Sequence, residues 1–347
     1  MTRQRPLRKL SFLHIVPYQR DDPARGLDEA LRLFEYAEEL GLDGGWVRTR
    51  HLQYGLPSAA TFLAAASQRT NRIDLGAAVI PTVYESEFRL AEDLSVADLL
   101  SGGRLQPGLS VGSPRGLSDD VAERILGPDW RDLDTSHARI ERILDFIKGE
   151  PPIGAPHPIG LGGATELSSD RVEPHAEGLA SRIWYGAGSF RSTEWAAAQG
   201  LKLLVSNISH IESSEDFDEA QRAQIDRFRA HHPLGEDAVV SQGHVLVPTD
   251  DASDAQRERF AEYVSARTPR TSARQASGAL IAADVHGSTE QILDRLLHSQ
   301  ATQAADEFLF ELPFQFAYED YRHILEQVAT VIGPALGWSP TLRDPAS

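Results

Sequence analysis

Residues 182–207 read RIWYGAGSFRSTEWAAAQGLKLLVSN. An apolar run, Ile183-Trp184-Tyr185, ends in the small-residue turn Gly186-Ala187-Gly188-Ser189. Ser192, Thr193 and Glu194 then open a helix through Trp195-Ala196-Ala197-Ala198, and a second apolar run closes the stretch. This is one strand–turn–helix–strand step. Glycines allow backbone N–H groups to approach an anion closely, and the first turn of a helix leaves N–H groups unpaired. Hydroxyls from Ser189 and Ser192 stand at the same spot. The unit suits the phosphate of a mononucleotide cofactor. It suits equally well an ordinary αβ unit with a serine N-cap.

Working outward, strand and helix patterns alternate along the chain. Strands are predicted at Leu10–Pro17, Gly45–Arg48, Arg72–Pro81, Leu105–Val111, Ala238–Val247 and Glu307–Leu312. Helices are predicted at Leu27–Leu40, Pro57–Arg69, Ser86–Leu100, Ser136–Lys148, Phe217–His231, Asp254–Arg267, Glu290–His298 and Tyr318–Ile332. Apolar residues at 3–4 spacing carry the helices, with Pro57 near the start of one and Gly41 at the end of another. Alternation without hairpin signals means a parallel sheet, and about eight strands predict a single (β/α)8 TIM barrel domain over 1–347. A doubly wound open sheet is the alternative. No strand leads into a full G-x-G-x-x-G with a later acidic partner, which counts against dinucleotide binding. Glu150–Gly178 and Thr268–Ala283 lack a clear period and are read as lids or mobile loops over the active face.

Of the 347 residues, 34 are Lys or Arg and 51 Asp or Glu, a formal net charge of −17. Such a surface repels phosphate backbones, so no nucleic-acid partner is expected. The chain has no cysteine. That excludes disulfides, thiol nucleophiles and Cys-based metal sites, and is compatible with a cytoplasmic location. No apolar run approaches the ~20 residues of a membrane helix, so no membrane partner is expected. His137, His157 and His175 lack metal-ligand spacing, and no metal is predicted. There is no G-x-S-x-G elbow for a hydrolase triad.

Two further segments bear on chemistry. In Arg72–Gly116, RIDLGAAVIPTVYESEFRLAEDLSVADLLSGGRLQPGLSVGSPRG, both strands end in small residues: Gly76, Ala77, Ala78, then Gly108, Ser110, Gly112, Ser113. Strand C-terminal ends form the active face of a barrel. Small residues there either leave room for a large flat ligand or allow tight packing. In Gly41–Leu56, GLDGGWVRTRHLQYGL, strand two ends in Arg48-Thr49-Arg50-His51, a basic cluster for an anion or an electron-accepting ring, or a solvated loop. His14 on strand one is a further candidate, though a lone strand histidine is more often core. Phe12, Trp46, Trp184 and Phe310 either line a pocket or belong to the core.

Together the segments WVRTRHL, RIDLGAAVIP, FRLAEDLSVADLLSGGR and GAGSFRSTEWAAAQG resemble the bacterial luciferase-like flavin-dependent monooxygenases, most strongly over 41–116 and 182–205. The resemblance implies a barrel with FMN across the strand ends, and a non-prolyl cis peptide at Ala78–Val79. It places the cofactor against Ala77, Ala78, Val79, Ser110 and Gly112, with the phosphate at Gly188, Ser189 and Ser192. Reduced FMN from a separate flavin reductase, together with molecular oxygen, would serve to oxygenate a small-molecule substrate. A homodimer through the first helices, Leu27–Leu40 and Pro57–Arg69, is expected on the same ground.

Two departures from the family pattern matter. Arg50 stands where the catalytic luciferase chains carry a histidine, and Val111 replaces a phosphate-binding arginine, with Arg115 close by. Arg50 and His51 are the candidate catalytic residues. Arginine does not exchange protons at neutral pH, so Arg50 would instead stabilise negative charge on reduced flavin or oxygen. Two rival readings follow: hydride transfer with the deazaflavin coenzyme, its acidic tail met by Arg48, Arg50 and Arg115, or a non-catalytic flavin-binding partner subunit.

Overall fold

The computed structural model describes residues 5–112, 117–151, 169–210, 212–271, 275 and 278–341. Its strands are β1 (Lys9–His14), β2 (Gly44–Val47), β3 (Asp74–Pro81), β4 (Leu105–Ser110), β5 (Trp184–Gly186), β6 (Lys202–Val205), β7 (Ile208–His210), β8 (Val240–Pro248), β9 (Ala279–Ile281), β10 (Val285–Gly287) and β11 (Glu307–Glu311). Its principal helices are α1 (Pro23–Glu39), α2 (Ala59–Ser67), α3 (Glu87–Ser101), α4 (Asp119–Leu126), α5 (His137–Lys148), α6 (Phe190–Ala198), α7 (Phe217–His231), α8 (Asp254–Thr271), α9 (Thr289–His298), α10 (Gln300–Ala304) and α11 (Tyr318–Gln327).

Eight parallel strands run in the order β8-β11-β1-β2-β3-β4-β5-β6, and the β6–β8 pairing closes the ring. This is the expected (β/α)8 barrel. Its strands are covered on both faces, so β1, β2, β8 and β11 read as nearly unbroken buried runs rather than alternating ones. β10 adds to β8, and β7 pairs antiparallel with β9 beside the mouth.

Local chemistry sets the boundaries. Asp22 caps α1 by accepting from the Arg25 amide, and Pro23 opens it. Gly102, at φ 70°, ends α3 in the left-handed conformation. The Ser-Gly-Gly-Arg turn that follows is structural: the Arg104 guanidinium donates to the Ser67, Thr70 and Ile73 carbonyls, tying β4 to the end of α2. Asp98 accepts from the Leu105 amide and pairs with Arg182 at 2.6 Å.

The bore is filled from below. Leu13, Trp46, Trp184, Leu204 and Leu309 pack inside the ring, and the two indoles meet edge to face at 5.5 Å. Gly76 makes room for Trp46, since a Cβ there would lie 2.0 Å from the indole ring. A Cβ at Gly108 would lie 2.2 Å from the Ala77 carbonyl oxygen. At these two positions small residues serve packing and do not open ligand space. Phe12 and Phe310 belong to the larger core between strands and helices.

Several expectations shift. β1 stops at His14 rather than Pro17. α8 runs on to Thr271 and β9 covers Ala279–Ile281, so the described parts of Thr268–Ala283 include the end of a helix and a short strand. α4, α10, β7, β9 and β10 are short elements with too few residues to show a period. Of Glu150–Gly178, residues 152–168 lie outside the described residues, as do Ser113 and Arg115.

Candidate active site at the barrel mouth

The Gly186–Ser189 turn ends in a capping box. The Ser189 hydroxyl accepts from the Ser192 amide at 3.2 Å, and the Ser192 hydroxyl accepts from the Ser189 amide at 3.0 Å. Gln224 of α7 donates to the Ala187 carbonyl at 3.0 Å and fixes the turn from behind. Both hydroxyls are therefore committed to the cap, yet Gly188, Ser189 and Ser192 still line a cavity of about 590 Å³. Arg191 and the start of α5, at Ser136 and His137, line it as well, so two helix N-termini open on this space. The Phe190 amide donates to the Glu212 carboxylate at 2.5 Å, which puts an anion of the chain itself on the helix N-terminus.

A second cavity of about 480 Å³ lies over the bore and shares Ser110, Gly186 and Gly188 with the first. Its floor is Ala78 and Val79, and the bond between them is cis. A third, of about 860 Å³, shares Arg48, Arg50, Ile208 and Arg270 with the second and opens past Tyr54 and Phe314. The three form one groove from the α6 N-terminus across the strand ends.

The strand-two cluster distributes its side chains. Arg48 pairs with the buried Glu311 of β11 at 3.1 Å, and Thr49 donates to the Val79 carbonyl at 2.9 Å. Arg50 enters the groove with its guanidinium carbon 5.6 Å from the Phe314 ring centre. Burial pushes its pKa down to about 10, with Arg48 and Arg270 adding like-charge repulsion, and it remains a cation at neutral pH. His51 does not join it. The imidazole lies 4.4 Å from the Tyr84 ring and lines none of the three cavities, because successive side chains leave the backbone in different directions.

Other candidates are corrected in the same way. Ala77 is fully buried in the core outside the barrel, facing away from the groove. Gly112, at φ 67°, packs against Pro81 and lines no part of the groove, whereas Val111 and Ser110 do. His14 is buried edge-on against Tyr321 of α11, again outside the bore. Sequence reasoning missed Glu311, Arg267, Arg270, Phe314 and Glu212. Glu311 alone left a trace, as a carboxylate ending the strand EFLFE.

These residues fit a flat cofactor with a phosphate tail. Ala78, Gly186, Ala187 and Gly188 leave a small-residue floor, and the α6 N-terminus with Arg191 meets an anion at one end.

Comparison with known proteins gives a match of residues 10–331 to the family model described as luciferase-like monooxygenase. The chain is 33% identical over 138 residues to limonene 1,2-monooxygenase of Rhodococcus erythropolis, covering 38% of this chain and 33% of that protein. It is 31% identical over 125 residues to the F420-dependent glucose-6-phosphate dehydrogenase of Amycolatopsis mediterranei, covering 33% and 36%. The chain thus spans about a third of the length of the curated relatives it first matches. The oxygenating constituent of 3,6-diketocamphane monooxygenase from Pseudomonas putida, solved in complex with FMN, superimposes with a TM-score of 0.65 at 15% identity, over 96% of this chain and 100% of that one. At that identity the likeness speaks for the fold.

Proposed function

The chain belongs to the luciferase-like monooxygenase family, and from that premise we propose that it is a flavin-dependent monooxygenase acting with reduced FMN and oxygen on a small organic substrate. The observation that carries this reading is the continuous groove from the α6 N-terminus, over Ala78–Val79, to Arg50. Ser110, Gly188 and the Phe190 and Arg191 end of α6 would hold the phosphate side, and Ala78 and Val79 would support the ring. A reduced flavin, when bound, supplies the electrons for oxygen activation. The chain supplies position, a fixed charge and a dry floor. Trp46 and Trp184 close the bore beneath the groove, and Thr49 holds the Val79 carbonyl in place. Among the described residues no histidine lines the mouth or its outer cavity. Arg50 therefore acts by stabilising negative charge, not by moving a proton.

Arg270 and Ile281, from the described parts of Thr268–Ala283, both face the outer cavity, which supports reading that segment as a lid. A separate reductase renews the reduced cofactor in the cytoplasm. The chain pairs with a second copy, and Val96, Leu99 and Leu100 of α3, exposed on the outer surface, support a contact there more than α1 or α2 do.

The deazaflavin alternative draws on the likeness to F420-dependent enzymes. It loses ground because Arg48, one of the cations expected to meet an acidic tail, is neutralised by Glu311. Anaerobic titration with reduced FMN and with the deazaflavin, read by tryptophan fluorescence, tests both. Tighter FMN binding, followed by substrate oxygenation on admission of oxygen, supports the proposal. Preference for the deazaflavin overturns it in favour of hydride transfer, and binding of neither favours a partner subunit.

A further inference from the structure

In a chain with a large acidic excess, the outer cavity is cationic. Four arginines line it (Arg48, Arg50, Arg267 and Arg270), and among the described residues no carboxylate does. Two of the four are spoken for. Arg48 pairs with Glu311 at 3.1 Å, and Arg267 grips the buried Asp284 in a two-pronged contact at 2.6 and 3.1 Å. Arg50 and Arg270 are different. Among the described residues neither guanidinium has a carboxylate within ion-pair distance or a hydrogen-bond acceptor. Arg50 shares the Phe314 ring with Arg267, whose guanidinium carbon lies 5.4 Å from the same ring centre.

Arg50 is partly buried, and a partly buried cation without a partner gains most from an anion arriving from outside; Arg270 is exposed and adds a second, solvated cation to the same cavity. Arg50 comes from the loop after β2 and Arg270 from the last turn of α8, so the two approach the cavity from separate elements. Planar guanidinium groups match a carboxylate through paired N–H donors. Beside them the wall is apolar, formed by Ile208, Ile281 and Phe314. We propose that the substrate is an organic acid, its carboxylate held between Arg50 and Arg270 and its apolar body against Ile208, Ile281 and Phe314. Calling this ligand the substrate rests on the monooxygenase reading. The anion clamp itself rests on the arginines.

The test uses the full chain, titrated with FMN and then with benzoate or the isosteric, neutral benzamide, with and without FMN, by calorimetry at low salt. Benzoate is expected to bind at least about tenfold tighter than benzamide, as expected for charge-assisted pairing. Arg270→Gln is expected to remove most of that difference while leaving benzamide affinity alone, and Arg270→Lys to restore part of it. Arg50→Gln supplies a second variant in case one of them fails to fold. Equal binding of acid and amide, or a preference untouched by both glutamine variants, overturns the clamp. FMN affinity is read in the same samples. Loss of FMN binding with the acid preference intact refutes the flavin reading and leaves the clamp standing. Intact FMN binding without the preference refutes the clamp alone.

Discussion

The Glu212 carboxylate sits 2.5 Å from the backbone amide of Phe190, the first residue of α6. A negative group at a helix N-terminus is favoured there, and under the flavin proposal this one would compete with the phosphate. Glu212→Gln should therefore tighten FMN binding by about two- to fivefold at low salt, the scale of one exposed charge near a helix end. Fluorescence titration reads it. Unchanged affinity would mean that the phosphate does not use this helix end.

Arg48 and Glu311 join the ends of β2 and β11 across the mouth, with Glu311 almost wholly buried. Removing one partner strands the other charge, so Glu311→Leu should cost about 3–5 kcal/mol. The double change Arg48→Met with Glu311→Leu should recover much of that loss. Urea unfolding of the four proteins in the cycle measures the coupling, and additive losses would show that the pair contributes nothing jointly.

At Gly76 a methyl group would collide with the Trp46 indole. Gly76→Ala should destabilise the barrel by about 1–3 kcal/mol through overpacking. Combining it with Trp46→Leu should be milder than the sum of the two single changes. Thermal unfolding midpoints test this, and a neutral Gly76→Ala would show that Trp46 has room to move.

His14 and His244 are buried, and burial lowers their pKa to about 3 and about 4, with a smaller push from Arg295 on His244. The unfolded chain takes up protons near pH 6.5 that the native chain refuses. Stability is thus full above pH 6.5 and falls as the pH drops toward those values, by roughly 2 kcal/mol per histidine at pH 5. His14→Phe should flatten that acid limb in denaturant titrations at pH 5 and 7. An equal slope in the variant would place the acid sensitivity elsewhere.

The barrel was legible because long elements repeat their apolar spacing, and because the turn from Gly186 to Ser189 marks its own helix start. The groove was legible only where a local motif lines it, as at Ser110, Gly188 and Ser189. Ala77 and Gly112 were misplaced because strand alternation and a left-handed backbone turned them outward, and a string of small residues does not reveal which face each one takes. His51 was lost to Tyr84 for the same reason. Glu311, Asp284 and Phe314 matter through partners far away in sequence, such as Arg48 with Glu311, and no local pattern records such pairs. Gly76 illustrates the converse: it reads as ligand space until Trp46, thirty residues earlier, is found filling it.

The two indoles in the bore also bear on access. Among the described residues Trp46 and Trp184 fill the bore beneath the groove, so the floor at Ala78 and Val79 is reached from the strand-end side. A molecule resting against Ala78 and Val79 lies between the outer cavity at Arg50 and Phe314 and the cavity at the α6 N-terminus. In the proposed reading the two cavities are neighbours along one groove, so a molecule in the outer one narrows the path to the inner one.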